Sequence, residues 1–258
     1  MAAHSTDSTQ GQPDGNRRYY ERLAEHYELF FVDYQRNASE EGRWLDSVLR
    51  ARGVRTVLDA SCGTGRQAIP LAQLGYQVDG ADPSPQMLAR AKLNAHAAEV
   101  HLPLHQLAFL DLPSALARRF DAVITMGNGL CHQDTAEAID QAVEALHACC
   151  YVGGICLVGI KDFAAVKRGA RRFHGHRIIE EDGLRTILFE IWDIKEPLLV
   201  STAFLLEEHL PDAWDTVSAT TREYMLMASE LERMALRSGF GRVERLEHPS
   251  EAVFLLET

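Results

Sequence analysis

Apolar and polar positions along the chain change rhythm three times. Across residues 17–52 apolar side chains recur at helical spacing, with Tyr20, Leu23, Ala24, Tyr27 and the pair Phe30 and Phe31 on the repeating positions, so this stretch is expected to be helical. Short apolar, β-branched runs then alternate with helical stretches. Strands are expected at 54–59, 77–82, 103–108 (the weakest), 121–126 and 154–160, with helices at 66–74, 83–97 and 137–148. Strands separated by helices argue for a parallel sheet. Ser84 stands where a helix N-cap is needed.

After Lys161 the pattern becomes antiparallel. Residues 173–180, 184–192 and 198–208 read as strands, 216–226 as a further one, and Glu181-Asp182-Gly183 as a hairpin turn. A helix over 229–238 closes at Gly239, and 241–246 pairs with 252–257 as a terminal hairpin. The expected fold is α/β: a Rossmann-like, seven-stranded, mostly parallel sheet with a C-terminal antiparallel hairpin and an antiparallel β insertion, a lid, after the fifth strand. With no repeat or linker in view, residues 17–258 read as one domain, with the lid at about 163–226. Residues 1–16, rich in Ser, Thr, Gln and Gly, read as a disordered tail.

Composition narrows the function classes. At 258 residues the chain buries a full core, and a net charge of −11 argues against a nucleic-acid partner. The basic run from Lys167 to Arg172 is local: a solvated face, or a guide for an anionic substrate. Five cysteines, without metal-ligand spacing, sit in apolar segments. They read as reduced, which implies a cytoplasmic protein without a structural metal. No apolar run is long enough to span a bilayer.

The most informative block is Asp59-Ala60-Ser61-Cys62-Gly63-Thr64-Gly65, a small-residue turn between an apolar strand and a helix. Such turns let a ligand lie against main-chain N–H groups. The glycines also fit a dinucleotide pattern, G-x-G-x-x-G/A, with Asp82 near the spacing of a ribose-binding acid. Asp59 separates the two readings, because a pyrophosphate is anionic whereas S-adenosylmethionine carries an ammonium and a sulfonium. The block resembles the first motif of class I S-adenosylmethionine-dependent methyltransferases, Asp/Glu-x-x-Cys/Gly-Gly-x-Gly.

A second block, Met126-Gly127-Asn128-Gly129-Leu130-Cys131-His132, resembles the Gly-Asn-x-x-x-His segment of the glycine/sarcosine N-methyltransferase group. The aromatic segment from Tyr19 to Tyr27 is also similar to that group's, which closes over the cofactor. The resemblance implies a catalytic set of Tyr20, Asn128 and His132, lining the acceptor pocket and the sulfonium. It implies cofactor contacts from Tyr27, Asp59, Gly63, Gly65, Asp82 (to the ribose), Met87 (on adenine), Met126 and Gly127. Ala108 stands where the family presents an acid or amide to adenine. That contact would then be main-chain, with Phe109 against the ring and Asp111 a capping acid. Arg43 is shifted in register, so the partner of the cofactor carboxylate stays open. Where the glycine-specific enzymes place a carboxylate-binding arginine, this chain has Lys161, a point charge without a bidentate fork. That weakens the case for glycine itself. Arg177, in a lid-like segment, is the second substrate-binding candidate.

The expected activity is methyl transfer from S-adenosylmethionine, leaving S-adenosylhomocysteine, to a small molecule at an amine nitrogen. Alignment and desolvation would carry the in-line displacement. An O- or C-acceptor, an NAD-dependent oxidoreductase and a non-catalytic S-adenosylmethionine-binding module remain open at this point. The oligomeric state is undetermined by the sequence.

Overall fold

The computed structural model describes residues 15–166, 172–210 and 213–258. The first 14 residues of the expected tail and most of the basic run, 167–171, lie outside these.

The central sheet has seven strands in the order β3-β2-β1-β4-β5-β11-β10. β1 (Thr56–Asp59), β2 (Gln77–Ala81), β3 (Leu104–His105), β4 (Phe120–Thr125) and β5 (Cys150–Ile160) run parallel. β11 (Ala252–Glu257) enters antiparallel to β5, and β10 (Arg242–Leu246) pairs antiparallel with it at the edge. The terminal hairpin expected from sequence is therefore part of the main sheet.

Alternate residues of the inner strands serve opposite faces. Leu58, Val123 and Val158 pack with Ile139, Leu146 and Leu231, from α6 (Ala136–Cys149) and α7 (Ala228–Ser238). Val57, Ile124 and Leu157 pack with Leu45, Leu49 and Leu71, from α2 (Tyr34–Arg50) and α3 (Ala68–Gln73). Strands buried on both faces read as continuous apolar runs, which is why these were visible in the sequence. Burying each such side chain contributes about 1.5–3 kcal/mol.

Between β5 and α7 a separate four-stranded antiparallel sheet forms from β6 (Phe173–Glu181), β7 (Leu184–Lys195), β8 (Leu198–Leu210) and β9 (Ala213–Tyr224). Its first turn has Asp182 at φ 52° and Gly183 at φ 78°, the two left-handed residues that a tight hairpin needs.

Two expectations are corrected at the amino-terminal end. The first helix, α1 (Gly15–Leu23), begins inside the segment read as tail, because Asn16 is held by four hydrogen bonds to the lid strand and the loop after β4. The helix expected over 17–52 is broken: a 3₁₀ turn (Tyr27–Phe30) follows α1, and α2 starts afresh where the Asp33 carboxylate accepts from Arg36 N at 2.9 Å. Apolar spacing persists across the break, so periodicity alone did not reveal it. The 103–108 strand shrinks to two residues, at the edge of the sheet.

Candidate active site

The chain passes from β1 to β2 and β3 on one side, then crosses to β4 on the other. The carboxyl ends of β1 and β4 therefore splay apart, the usual position of a ligand crevice in such sheets. A cavity of about 400 Å³ lies here, walled by residues from the ends of β1, β2 and β4 together with α1 and the 3₁₀ turn. Its size suits a small organic ligand.

One half of the cavity is built from the β1–β2 region. Gly63 takes φ 52°, and a Cβ there would stand 3.3 Å from Met87 Cε, so glycine keeps both the turn and the methionine floor. The Asp82 carboxylate accepts from Gly63 N at 3.0 Å and from Ser84 N at 2.8 Å. These bonds fix its orientation, and each oxygen keeps a lone pair for a ligand hydroxyl. Burial pushes Asp82 up to about 6. Met87, Ala108, Phe109 and Met126 give apolar walls.

Below the turn, Asp59 is 1% exposed. Its Oδ1 accepts from Ser61 N at 3.4 Å, and Oδ2 has no hydrogen-bond partner. Burial, the largest influence, pushes it up to about 7. An orphaned carboxylate oxygen under a ligand turn is costly unless a cation or donor completes it. The residues present thus fit S-adenosylmethionine: apolar walls for a base, a carboxylate for ribose hydroxyls, and a second carboxylate near a cationic amino acid head.

The other half is assembled from distant parts of the chain. Tyr20, on α1, has its Oη 2.6 Å from His132 Nε2, in the 3₁₀ turn (Gly129–His132) after β4. His132 Nδ1 lies 3.1 Å from Thr221 Oγ1 on β9, and Thr221 Oγ1 donates to Asn16 Oδ1 at 2.9 Å. Burial lowers the His132 pKa, opposed by nearby Glu223. Burial also raises Tyr20 and Tyr27 above the ordinary phenol value. The pair at 2.6 Å is therefore a neutral phenol against a neutral imidazole. Gly129 lets this turn approach β1 closely, since a Cβ there would stand 2.4 Å from Ser61 Oγ.

Residues 57–154 match the family model described as "Methyltransferase domain". Residues 57–154 are thus a methyltransferase domain. Among curated proteins it is similar to a glycine/sarcosine N-methyltransferase of Parasynechococcus marenigrum (strain WH8102), 29% identical over 64% of this chain and 58% of the relative. It is also similar to a glycine/sarcosine/dimethylglycine N-methyltransferase of Actinopolyspora halophila, 30% identical over 52% of this chain and 24% of that one. The matched stretch thus spans less than two thirds of either relative. The sugar N-methyltransferase KedS8 from Streptoalloteichus sp ATCC 53650 shares the fold, with a TM-score of 0.75 over 100% of this chain and 98% of that one at 22% identity. So does DesVI of Streptomyces venezuelae, with a TM-score of 0.78 over 90% of this chain and 97% of that one at 20% identity. The match of the methyltransferase domain, with Asp59 beneath its turn, sets aside the NAD reading.

The expected residues separate into two groups. Tyr20, Tyr27, Gly63, Asp82, Met87, Ala108, Phe109, Met126, Gly127 and His132 line the cavity together. Others do not. Asn128 is buried at 7% exposure, and its Oδ1 accepts from Lys161 N at 2.9 Å, tying the loop after β4 to the end of β5. Its φ of 69° turns the loop, while the neighbouring glycines Gly127 and Gly129 face the cavity. Gly65, at φ 89°, shapes the turn from behind the cavity wall. The Lys161 ammonium pairs with Glu223 Oε2 at 2.6 Å and sits 4.5 Å over the Trp192 ring, so its charge is already matched. Arg177 donates to the Phe31 carbonyl at 2.7 Å, joining lid to amino-terminal segment. Arg43 is exposed, and the cations that line the cavity are Arg17 and Arg66.

Several site residues escaped the sequence reading. Asn16 fell in the expected tail. Thr221 and Glu223 sit at 2% and 6% exposure beside Ala219 on the inner face of β9, and period-two spacing of polar residues among apolar ones was their only signal. Arg66 pairs with the buried Glu41 and with Asn37. Glu41, His248 and Glu251 bring ligand-type atoms within 4.8 Å of one another, but Glu41 is held by Arg66 and Gln67, and Glu251 accepts from Gly127 N. No helix among the described residues is long and apolar enough to cross a membrane.

Proposed function

We propose that this protein transfers the methyl group of S-adenosylmethionine to an amine nitrogen of a small molecule. The observation that carries this reading is a cavity lined by Asp82 and by the Tyr20–His132 pair, with Asp59 buried beneath its Gly63 turn and one of its carboxylate oxygens unpartnered. S-adenosylmethionine, when bound, supplies an electrophilic methyl group. Asp82 would hold the ribose hydroxyls, Met87 and Phe109 would enclose the adenine, and Asp59 would face the ammonium. Tyr27 and Tyr20, in edge contact at 6.0 Å, would present rings and phenol oxygens to the sulfonium. Tyr20 would orient the incoming amine, and His132, neutral near pH 7, would accept through Tyr20 the proton the amine releases. Holding the partners in line is worth about 7–11 kcal/mol.

The acceptor is an amine without an essential carboxylate. Lys161 is neutralised by Glu223, so the cation expected to receive an amino-acid carboxylate is engaged. An amino sugar fits this better than glycine, in keeping with the fold shared with the sugar N-methyltransferase. Lid strands would set the choice.

The test is incubation with methyl-deuterated S-adenosylmethionine and pooled amino sugars, amino acids and phenols, followed by mass spectrometry. A three-deuteron gain on an amino sugar is expected. Gain on phenols only would overturn the nitrogen acceptor. Absence of S-adenosylhomocysteine binding by calorimetry would overturn the cofactor.

A further inference from the structure

The directions of the hydrogen bonds that Asn16 and Thr221 make behind His132 can be deduced. Asn16 Nδ2 lies 2.6 Å from His132 O and 2.9 Å from Arg222 O, both acceptors only. The amide nitrogen must therefore be on that side. Asn16 Oδ1 then faces Arg222 N at 2.8 Å and the Thr221 hydroxyl at 2.9 Å, and accepts from both. A hydroxyl has one proton. Thr221 gives it to Asn16, so toward His132 Nδ1, 3.1 Å away, it can only accept. His132 must carry its proton on Nδ1. In the neutral ring Nε2 is then a lone pair, aimed at Tyr20 Oη at 2.6 Å.

We propose that Asn16 and Thr221 are positioning residues that lock His132 in the Nδ1–H tautomer, so that Nε2 is always the acceptor for the Tyr20 proton. The inference rests on the reading of Tyr20 and His132 as the acceptor side of the methyl-transfer site. Neither positioning residue lies in the matched segment: one opens α1, and the other sits on the lid sheet. The site is completed by docking the amino-terminal helix onto the lid.

The proton path balances. The methylated amine gives an N–H proton to Tyr20 Oη as the Tyr20 O–H proton passes to His132 Nε2. The N–H bond of the product and the Tyr20 O–H bond break, and a new Tyr20 O–H bond and an Nε2–H bond form. The resulting imidazolium keeps Nδ1–H on Thr221 and later yields a proton to solvent. The charged and titratable groups around the ring are Glu223 on β9, Lys161 at the end of β5, Asp134 after the 3₁₀ turn, and Tyr20 on α1. Glu223 favours the imidazolium, and Lys161 opposes it.

Removing Asn16 has a particular consequence. The Thr221 proton is freed to point at Nδ1, which permits the opposite tautomer, with Nε2–H donating to Tyr20 and no lone pair to receive its proton. Thr221→Val removes the hydroxyl acceptor and leaves the ring only the Arg222 backbone on this side, whereas Thr221→Ser keeps the hydroxyl.

The experiment uses the full chain saturated with S-adenosylhomocysteine and labelled with ¹⁵N-histidine. The ring nitrogens of His132 are assigned by their loss in His132→Gln and read by long-range ¹H–¹⁵N spectra between pH 7 and 8. Wild type and Thr221→Ser are expected to show the pure Nδ1–H form. Thr221→Val and Asn16→Ala are expected to show a mixture. Turnover of methyl-deuterated S-adenosylmethionine with the amine that proves active should fall about fivefold to tenfold in kcat for Thr221→Val, with KM for the donor unchanged, and recover in Thr221→Ser. An Nε2–H or doubly protonated ring in wild type overturns the proposal. So does an unchanged tautomer in Thr221→Val. Should no amine be methylated, the function proposed above fails, while the tautomer spectra still decide this inference on their own.

Discussion

The two halves of the cavity are made in opposite ways. The Asp59–Asp82 half comes from one β-turn-α-β stretch, and its key bond, Gly63 N to Asp82, spans 19 residues. The Tyr20–His132 half joins α1, the turn after β4 and lid strand β9, with bonds that span 112, 89 and 206 residues. A local half is specified by turn chemistry and glycine, and it can be lifted from fold to fold. A half built from distant elements depends on how the lid packs, and can change acceptor without disturbing the donor site.

Substitutions should separate the halves. Asp82→Ala leaves Gly63 N and Ser84 N without their carboxylate, as well as removing the proposed ribose contact. S-adenosylhomocysteine affinity is expected to fall about a hundredfold, roughly 2–3 kcal/mol, in calorimetry. Retained affinity would break the assignment of this half. Lys161→Met strands the buried Glu223 on the other side. A loss of about 2 kcal/mol in urea unfolding is expected, below the usual cost of breaking a buried pair because Lys161 is 28% exposed. Cofactor affinity should hold. Tyr20→Phe should lower kcat by roughly tenfold while calorimetry of S-adenosylhomocysteine stays within about twofold. Equal losses in both would merge the two halves into one unit.

The smallest effect is in pH. Burial holds Asp59 at about 7, so the ionised form grows from pH 6 to pH 8. An ammonium gains from that form alone, and S-adenosylhomocysteine affinity should rise severalfold, about 1 kcal/mol, across this range. Asp59→Asn should flatten the rise. Linkage runs the other way for the protein alone. An acid raised from 3.8 to about 7 supports the fold most fully at low pH, and that support is lost as pH climbs through 7.

The same contrast explains what the sequence disclosed. The sheet strands are apolar runs between helices, and Gly63 with Asp82 sits in a contiguous block, so both could be read directly. Asn128 misled because a polar residue between two glycines at a strand end looks the same whether it faces the cavity or, as here, caps the next strand through Lys161 N. Lys161 looked like a substrate cation because its partner Glu223 lies 62 residues further on. Asn16 had only composition to speak for it, and a flexible-looking sequence says nothing about a clasp whose other side is encoded some 205 residues later.

That clasp also has a bearing on how the protein is made. Asn16 is synthesised before its partners at Thr221 and Arg222, which follow 205 and 206 residues later. At ordinary rates of translation, about 5–20 residues per second, the gap is roughly 10–40 s. During that interval the sheet has its first strands and glycine turn while α1 lacks the lid residues it packs against. A nascent chain would acquire the proposed donor pocket and His132 well before the Thr221 that orients the ring, and the geometry proposed for transfer would be complete only once β9 has been made.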